Sequence, residues 1–426
     1  IFDPLVDVCD LIHRNYVVET DDKELVTGAI NGMLHELDFY SEYIPAPEVE
    51  AFQKQTSGSY EGIGIGIDSK EGNLIVISPF EDSPAYKAGV QAGDMILEVN
   101  GQETKGWSNT KAVKEMTGEA GSEVKIKVRH ADGEEEEIVI VRERIQVPTI
   151  KGWRREAAGG WDYMLDEESK VGYVRLSQFV EETAGELDAA MEKLQQQKME
   201  ALILDLRSNP GGLMSAAVEV VDRMIDHGVI VSTRGAHTAP QEQTAQAQGT
   251  YPRFHLVILI DQGSASAAEI VSGSLQDHGR AVVVGQRSWG KGSVQRVFRL
   301  PDSGDAVKIT TDYYYLPKGR CVHRLPGSDT WGVDPDVEEK LDPKKFGELR
   351  DLLEELMMQP AAKEKAEAEK VETETGDDNK ANEAEAKKAL AERLLELDGQ
   401  LAQGLKQCKG LIRARPGLQP LGAAGD

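Results

Sequence analysis

The stretch from Leu256 to Gln295 restricts the possible folds more than any other part of the chain. It contains, in order, the apolar run LVILID, the small-residue turn QGSASAA, a helical segment, the apolar run AVVVG and the glycine-bracketed lysine GKG. Short runs rich in Val and Ile and bounded by turn residues are typical of buried strands. This order predicts a layered α/β unit, with Ser266 at the junction between the first strand and the helix.

Ser266 therefore occupies a position suited to nucleophilic chemistry. The first N–H groups of a helix have no partner inside the helix, so they can stabilise negative charge that develops on a carbonyl oxygen. A serine there needs a base, but His255 precedes the strand and His278 follows the helix. We expect Lys291 to be that base, because burial lowers the pKa of a lysine. Gln295, four residues on, is expected to hold the neutral amine through its amide.

Each of these residues also has a simpler interpretation. Ser266 is a preferred residue type for a helix N-cap, and Lys291 suits an exposed surface. Gly285, Gly290 and Lys291 also reproduce most of the phosphate-loop pattern G-x-x-x-x-G-K-[ST] after a strand. However, Gly292 follows the lysine, and the next segment VQRVFRL has the pattern of a strand, whereas a phosphate loop opens a helix. The sequence thus disfavours a nucleotide site and leaves the N-cap alternative open.

The strings GSASAAEI, QDHGRAVVVG and GKGSVQ resemble the carboxy-terminal processing, or tail-specific, proteases. These are serine endopeptidases that use a serine/lysine dyad. The resemblance implies that Ser266, and not Ser264, is the nucleophile. It further implies that Lys291 is the general base and that Gln295 supports it.

The resemblance extends to the string DLRSNPGGL and to the core around it. It implies that Gly211 or Gly212 contributes a backbone N–H to an oxyanion hole beside the N–H of Ala267. Ala268 stands where many relatives have a further serine, which is not part of the dyad. Residues 146–345 alternate strands and helices, and the resemblance implies a crotonase-like α/β protease core. The polar segment GAHTAPQEQTAQAQGTYPRF within it is expected to be a loop.

Residues 58–145 have a different texture, with short strands, two helices and a hairpin turn at Asp132-Gly133. The strings GSYEGIGIGID and AGVQAGDMILEVNG resemble a PDZ domain. In such a domain a glycine-rich turn binds the terminal carboxylate of a peptide, and the peptide adds to the edge of the next strand. The candidate peptide-binding residues are Gly62, Ile63, Gly64 and Ile65.

The remaining segments flank these two units. Helical spacing predicts two amphipathic helices within residues 1–45, joined near residues 16–22. The string LDFYSEYIP resembles the family's linker, which often has histidine and serine in place of Phe39 and Tyr40. The complete fold is thus expected to be multidomain α/β, with a PDZ domain inserted between N-terminal helices and the protease core.

Residues 346–426 are expected to form an acidic linker, one amphipathic helix over AKKALAERLLELDGQLAQGLKQ and a flexible tail. The helix is expected to pair with itself or to fold back on the body of the protein. We also hypothesise that the tail occupies the chain's own PDZ groove, although its terminal Asp426 suits an apolar pocket poorly.

The composition narrows the function further. The net charge of −26, from 74 acidic and 48 basic residues, argues against nucleic acid as a partner. The cysteines Cys9, Cys321 and Cys408 fit neither a disulfide framework nor a metal site, and we expect no metal or cofactor.

No apolar run is long enough for a membrane span. Because the chain opens on Ile1, we expect that an export or anchor segment has been removed from an envelope or periplasmic protein. The sequence leaves open whether this protein is a homo-oligomer. The expected activity is cleavage of unfolded C-terminal ends of protein substrates. The alternative is a catalytically silent, PDZ-containing peptide-binding protein.

Overall fold

The computed structural model describes residues 2–49, 59–70, 72–80, 83–130, 132–156, 159–325, 327–357 and 377–414. The chain begins with two helices, α1 (Asp3–Asn15) and α2 (Asp22–His35), followed by strand β1 (Glu42–Ile44). Helix α2 starts at Asp22 because the Asp21 carboxylate accepts a hydrogen bond from the Lys23 N–H at 2.7 Å. The two helices lie where the helical spacing predicts them.

The PDZ unit follows as a small sheet with two helices. Its elements are β2 (Ser59–Gly62), β3 (Ile65–Lys70), β4 (Asn73–Pro79), α3 (Pro84–Lys87), β5 (Met95–Val99), β6 (Gln102–Glu103), α4 (Asn109–Met116), β7 (Glu123–Arg129), β8 (Glu135–Val141) and β9 (Glu143–Gln146). The main sheet has the order β3-β4-β5-β7-β8, with β6 on β5, while β2 pairs with β9. In β7, Val124, Ile126 and Val128 are all fully buried, since alternate side chains of a strand face the same side.

The protease core is built around a seven-stranded sheet. Its elements are β10 (Ile150–Lys151), β11 (Arg154–Arg155), β12 (Trp161–Asp162), β13 (Met164–Asp166), β14 (Val171–Leu176), α5 (Thr183–Gln196), β15 (Ala201–Asp205), α6 (Met214–Asp222), β16 (Val229–Arg234), β17 (Gln241–Thr244), β18 (His255–Ile260), α7 (Ala267–Asp277), β19 (Val282–Gly285), β20 (Ser293–Arg299), β21 (Ala306–Tyr315) and β22 (Val337–Glu338). The sheet order is β10-β14-β15-β18-β19-β22, with β13 on β14. Within this sheet, β14, β15, β18, β19 and β22 are parallel to one another.

A second, antiparallel sheet has the order β1-β21-β16-β17, with β20 on β21. The N-terminal segment therefore joins the protease core through β1. Strand β17 lies inside the polar segment that was predicted to be a loop, so that prediction was wrong in part. All four residues of β17 are exposed, so the sequence shows no apolar periodicity there. The strand is instead ordered by its backbone pairing with β16.

Both faces of the seven-stranded sheet are covered. Along β18, Leu256, Ile258 and Ile260 enter the apolar cluster under α5, α6 and α7, while Val257 and Leu259 enter a second cluster on the opposite face. This second face is covered by α8 (Phe346–Met357), α9 (Asp377–Leu397) and α10 (Gly399–Ala414). Continuous apolar strands of this kind are expected where helices pack on both faces of a parallel sheet.

The C-terminal region differs from its prediction in two respects. Helix α8 (Phe346–Met357), which buries Leu349, Leu352 and Leu356, lies in a stretch that was predicted to be linker. The single amphipathic helix that was expected is two helices, α9 and α10, which are separated at Asp398. The Asp398 carboxylate accepts a hydrogen bond from the Leu401 N–H at 2.9 Å and starts a new helix there. The pair folds back on the sheet, which was one of the two expected outcomes. The acidic linker in part, and the tail proposed for the PDZ groove, lie outside the described residues.

The predicted multidomain α/β fold, with an inserted PDZ domain and N-terminal helices, is confirmed. Within the described ranges, no helix has the length and apolar character that crossing a lipid bilayer requires.

Candidate active site

Ser266 lies at the turn between β18 and α7, as the sequence predicts. The strand ends at Ile260, and the helix begins at Ala267. Ser266 has φ 56° and ψ −115°, a conformation that costs a residue with a side chain about 1–3 kcal/mol. Strain of this kind persists only where the surrounding structure holds it, and it is common at active sites.

The neighbouring Ser264 has a structural role. It is fully buried, its hydroxyl donates to the Leu206 carbonyl at 2.8 Å, and the same oxygen accepts from the Asp261 N–H at 2.9 Å. Because these bonds use the hydroxyl, Ser264 is unsuited to be a nucleophile. Of the two serines in GSASAA, the structure leaves Ser266 at the cavity described below.

Gly211 and Gly212 lie directly against the turn that carries Ser266, residues 261–266, which we call the serine turn. A Cβ placed on Gly211 would lie 2.7 Å from the Ser266 Cβ and 3.0 Å from the Ala267 nitrogen, so only glycine fits there. The Gly211 N–H is already bonded to the Asn209 side-chain oxygen at 2.8 Å. Gly212, in contrast, lines the same cavity as Ser266 and Ala267. Of the two glycines, Gly212 is therefore the better candidate for an oxyanion-hole donor.

A buried carboxylate connects the serine turn to the loop that carries Lys291, residues 286–292, which we call the lysine loop. Glu269, fully buried in α7, accepts hydrogen bonds from the N–H groups of Ser266 at 2.8 Å, Gly290 at 2.7 Å and Lys291 at 2.8 Å. The Ser288 hydroxyl donates to the same carboxylate at 2.5 Å. One side chain thus sets the backbone positions of both members of the expected dyad.

A second residue, Tyr314, makes the same connection through two carbonyl groups. The Tyr314 hydroxyl lies 3.0 Å from the Ser266 carbonyl oxygen and 2.8 Å from that of Lys291, so it can donate to either. Burial raises the pKa of Tyr314 well above its ordinary value, so this group remains a neutral donor. Tyr314, through two carbonyl groups, and Glu269, through N–H groups, both link the turn of Ser266 to the loop of Lys291.

The residue Lys291 is half-buried and lines the same cavity as Ser266. Burial, followed by the positive charge of Lys308, lowers the pKa of Lys291, against smaller opposing effects of Glu269 and Glu42. The ring of Tyr40, from the N-terminal linker, has its centroid 5.0 Å from the Lys291 Nζ. A lowered pKa is what a general base requires at neutral pH.

The cavity has a volume of about 610 Å³ and is lined by residues from both sheets and from α7. Gln295 lines it with Ser266, Ala267 and Lys291. The Gln295 side-chain NH₂ donates to the Ser293 hydroxyl at 2.8 Å and to the Thr310 hydroxyl at 3.2 Å. These bonds use the NH₂ group of Gln295 and leave its side-chain carbonyl oxygen available as a hydrogen-bond acceptor.

The lysine loop does not have the form of a phosphate loop. Lys291 is followed by strand β20, where a phosphate loop would open a helix, which agrees with the sequence argument. His323 lies close to this loop, and its Nδ1 accepts a hydrogen bond from the Gly292 N–H at 3.2 Å. His323 therefore supports the loop and does not line the cavity beside Ser266.

Sequence reasoning missed Glu269, Tyr314 and the position of Tyr40. The spacing Ser266-x-x-Glu269 is that of a helix capping box and could have indicated the contact between these two residues. Tyr314 and Tyr40 are separated from the dyad by many residues, and no local pattern marks them.

The predicted peptide-binding residues lie at the start of the PDZ sheet. Gly64 has φ 77°, which favours glycine, and its carbonyl accepts from the Phe80 N–H at 2.8 Å. Ile63 is only 2% exposed and belongs to the core of the domain, whereas Ile65 is partly buried. Gly62 is the last residue of β2, and β3 begins at Ile65 as the edge strand of the main sheet.

Comparison with known proteins identifies the parts of the chain. Residues 170–339 match Peptidase family S41, residues 51–129 match the PDZ domain family, and residues 2–47 match the N-terminal domain of the activating protease CtpB. A carboxy-terminal-processing protease of Bartonella bacilliformis is 38% identical over 349 residues, which are 80% of this chain and 75% of that protein.

Two further similar proteins are a curated relative and a solved structure. The carboxy-terminal processing protease CtpA of Bacillus subtilis is 32% identical over 344 residues, which are 80% of this chain and 69% of that protein. The solved structure of a photosystem II D1 C-terminal processing protease matches at 27% identity and a TM-score of 0.45, over 82% of this chain and 90% of that chain.

The core fold, the PDZ unit and these relatives together define the class of the protein, which is a serine-type peptidase that carries a PDZ domain. The chain belongs to the carboxy-terminal processing protease family. The alternative of a catalytically silent peptide-binding protein is not favoured by these matches.

Proposed function

We propose that the protein captures the C-terminal end of a protein substrate in its PDZ groove and cleaves the chain at Ser266. One observation carries the assignment of the dyad: Ser266 and Lys291 line one cavity, and the backbones of both are bonded to the buried Glu269 carboxylate. The groove would be formed by the turn from Gly62 to Ile65 and by the edge of β3.

In the proposed mechanism, neutral Lys291 accepts the Ser266 hydroxyl proton as the serine oxygen attacks the scissile carbonyl carbon. The N–H groups of Ala267 and Gly212 stabilise the resulting oxyanion. The lysine then protonates the leaving amine, and an acyl-enzyme forms. Lys291 next removes a proton from water, which hydrolyses the acyl-enzyme and restores the serine. Gln295 accepts a hydrogen bond from the neutral amine through its side-chain oxygen.

The dyad is tested by replacing each member. We expect Ser266→Ala and Lys291→Ala each to lower kcat/KM by a factor on the order of 10³ or more, since each removes a group that acts on the reacting atoms. Products from a model substrate with an unfolded tail are to be measured by mass spectrometry. Lys318→Ala, on the surface, and Ser328→Ala, partly buried but outside the cavity lining, are the matched controls and should retain activity. Cleavage at parental rates by either dyad variant would contradict the mechanism.

The setting of the enzyme is a further part of the proposal. Carboxy-terminal processing proteases are typically exported, which supports a location in the cell envelope or periplasm, with or without an anchor. Helix α1 buries none of its 13 residues and exposes Leu5, Val6 and Leu11, which supports a homo-oligomer. Cell fractionation and light scattering of the purified protein test these two points.

A further inference from the structure

The aromatic residue Tyr40 joins the N-terminal segment to the lysine loop. Its ring centroid lies 5.0 Å from the Lys291 Nζ, a distance at which the face of a ring attracts a cation. The Tyr40 hydroxyl accepts a hydrogen bond from the Trp289 indole N–H at 3.4 Å. One side chain of the N-terminal segment therefore contacts two residues of the loop that carries the expected base.

The position of Tyr40 is fixed by the residues around it. Its N–H donates to the Asp38 carboxylate at 2.6 Å, and the hydroxyl of the following residue, Ser41, accepts from the Thr310 N–H at 3.2 Å. Strand β1, which comes next, pairs with β21. The Tyr40 ring also meets the ring of His323 edge-on, with 6.1 Å between the centroids. The ring is thus held from its own backbone and from the protease core.

The amine of Lys291 has no closer polar partner among the described residues. Within those ranges, the Nζ forms no hydrogen bond and no ion pair. The charged or titratable groups around it at longer range, or bonded to its loop, are Lys308 and Tyr314 in β21, Glu42 in β1, Glu269 in α7, and His323 after β21. The ring of Tyr40 is therefore the direct contact of this amine in the part of the chain that is described.

The ring distinguishes between the two protonation states of the amine. The face of an aromatic ring carries partial negative charge, so it attracts an ammonium group and has little attraction for a neutral amine. The contact therefore favours the charged form of Lys291. Burial and the charge of Lys308 act against that form and lower the pKa. Since the dyad needs the neutral amine, the ring opposes the step that these two effects promote.

We propose that Tyr40 is a positioning residue that holds the ammonium form of Lys291 against its ring and thereby moves the onset of catalysis to higher pH. The N-terminal segment then sets the pH at which the base becomes available, although it brings no group to the reacting atoms. This inference rests on the proposed role of Lys291 as general base.

The test is the pH dependence of kcat/KM for the parent, Tyr40→Leu and Tyr40→Phe, all as full chains. Initial rates are measured on a fluorogenic tail peptide whose side chains do not titrate. Leucine keeps an apolar group beside the amine but has no ring face, so the rising limb should shift to lower pH by about 0.5–1 pH unit. At a pH below the limb, Tyr40→Leu should then be about three- to tenfold faster than the parent.

Tyr40→Phe keeps the ring and removes only the acceptor of the Trp289 N–H, so its limb should stay at the parental pH. Phe39→Leu, the same kind of change at an exposed neighbour, should also leave the limb in place. Thermal unfolding checks each variant, and Tyr40→Met replaces Tyr40→Leu if the latter does not fold. The rate at which a fluorophosphonate labels Ser266 gives the limb independently of peptide binding.

Three results would overturn the role of Tyr40. An unmoved limb in Tyr40→Leu shows that the ring does not act on the amine, and a shift to higher pH shows that it acts through burial. An equal shift in Tyr40→Phe assigns the effect to the hydroxyl. Lys291→Ala separates this inference from the proposed function, because a parental limb in that variant would show that Lys291 is not the base. If Lys291→Ala is inactive and Tyr40→Leu keeps the parental limb, only the inference on Tyr40 is wrong.

Discussion

At the scale of single residues, the ionisation of Lys291 is set by its neighbours. Its amine must be neutral to accept a proton from Ser266, so burial and the charge of Lys308 act in the direction that catalysis requires. Lys308 itself is paired with Glu42 at 2.7 Å, which brings a negative charge to the same region. The pKa of Lys291 thus depends first on burial and then on the balance between the charges of Lys308 and the two carboxylates Glu269 and Glu42.

Lys308→Met should move the pH dependence of catalysis upward. Removing the Lys308 charge takes away one cause that lowers the pKa of Lys291 and leaves Glu42, which raises it, uncompensated. The lysine is then neutral only at higher pH, so the rising limb of kcat/KM shifts to higher pH. At neutral pH we expect activity to fall about two- to fivefold, the scale of one solvent-screened charge interaction.

The position of this limb is measured from initial rates over a range of pH, which separates the charge effect from a change in substrate binding at all pH values. Lys318→Met, an exposed lysine away from the cavity, should leave the limb in place. A shift to lower pH in Lys308→Met would show that the sign assigned to this charge is wrong.

At the scale of elements, the site is a contact between two turns. The turn after β15 carries Gly211 and Gly212, and the turn after β18 carries Ser266. The Ala265 N–H donates to the Asn209 carbonyl at 2.9 Å, and a Gly211 Cβ would lie 2.8 Å from the Ala265 carbonyl oxygen. The adjacent parallel strands β15 and β18 bring the turns together because the ends of such strands share one edge of a sheet.

Gly211→Ala should inactivate the enzyme through this contact. Gly211 has φ 102°, a conformation that strains any other residue, and the added methyl group would press on Ser266 and Ala267. We expect kcat to fall about 10²-fold or more, because the methyl group displaces Ser266 and the Ala267 N–H, one of the two proposed oxyanion-hole donors. Steady-state kinetics and thermal unfolding are the measurements.

Gly185→Ala is the matched control for this substitution. Gly185 lies in α5, and a Cβ there would have no neighbour within 4 Å, so alanine should keep activity and stabilise the helix by about 0.5–1 kcal/mol. Equal activity of the two variants would exclude the close contact between the turns.

At the scale of the whole molecule, the C-terminal helices complete the core. Arg207, close to the oxyanion-hole turn, is bonded to Asp205 at 2.6 Å and to Asp398, between α9 and α10, at 2.9 Å. Although burial disfavours its charge, these two carboxylates hold the pKa of Arg207 well above its ordinary value. The Tyr173 hydroxyl donates to Asp205 at 2.7 Å. The helices thus bury an ion-pair network beside the active-site turn.

Asp398→Ala should destabilise the protein strongly. It removes one partner of the buried Arg207 charge and also the cap of the Leu401 N–H, and breaking a buried ion pair costs about 3–5 kcal/mol. Urea unfolding gives the change in the free energy of unfolding. Glu392→Ala, exposed on α9, should change that free energy by no more than about 0.5 kcal/mol. A midpoint in Asp398→Ala equal to that of the parent would show that the C-terminal helices are not coupled to the core.

Several features of this protein could be predicted from the sequence because they depend on neighbours along the chain. The continuous apolar run in β18 predicts a buried strand, and the small residues after it predict the turn that carries Ser266. The glycines before and after Lys291 predict a loop in the same way. The family resemblance then relates Ser266 to Lys291, although no periodicity connects them.

Contacts between distant segments were decided only by the tertiary structure. Tyr40 beside Lys291 and Asp398 against Arg207 each join side chains whose meeting depends on how whole elements pack. Local propensity acts over a few residues, whereas Arg207 and Asp398 are 191 positions apart. The sequence by itself therefore determined the strands, the turns and the types of residue on them. Packing of the two sheets, the PDZ domain and the C-terminal helices determined which polar groups meet, because a buried polar group is stable only beside a partner.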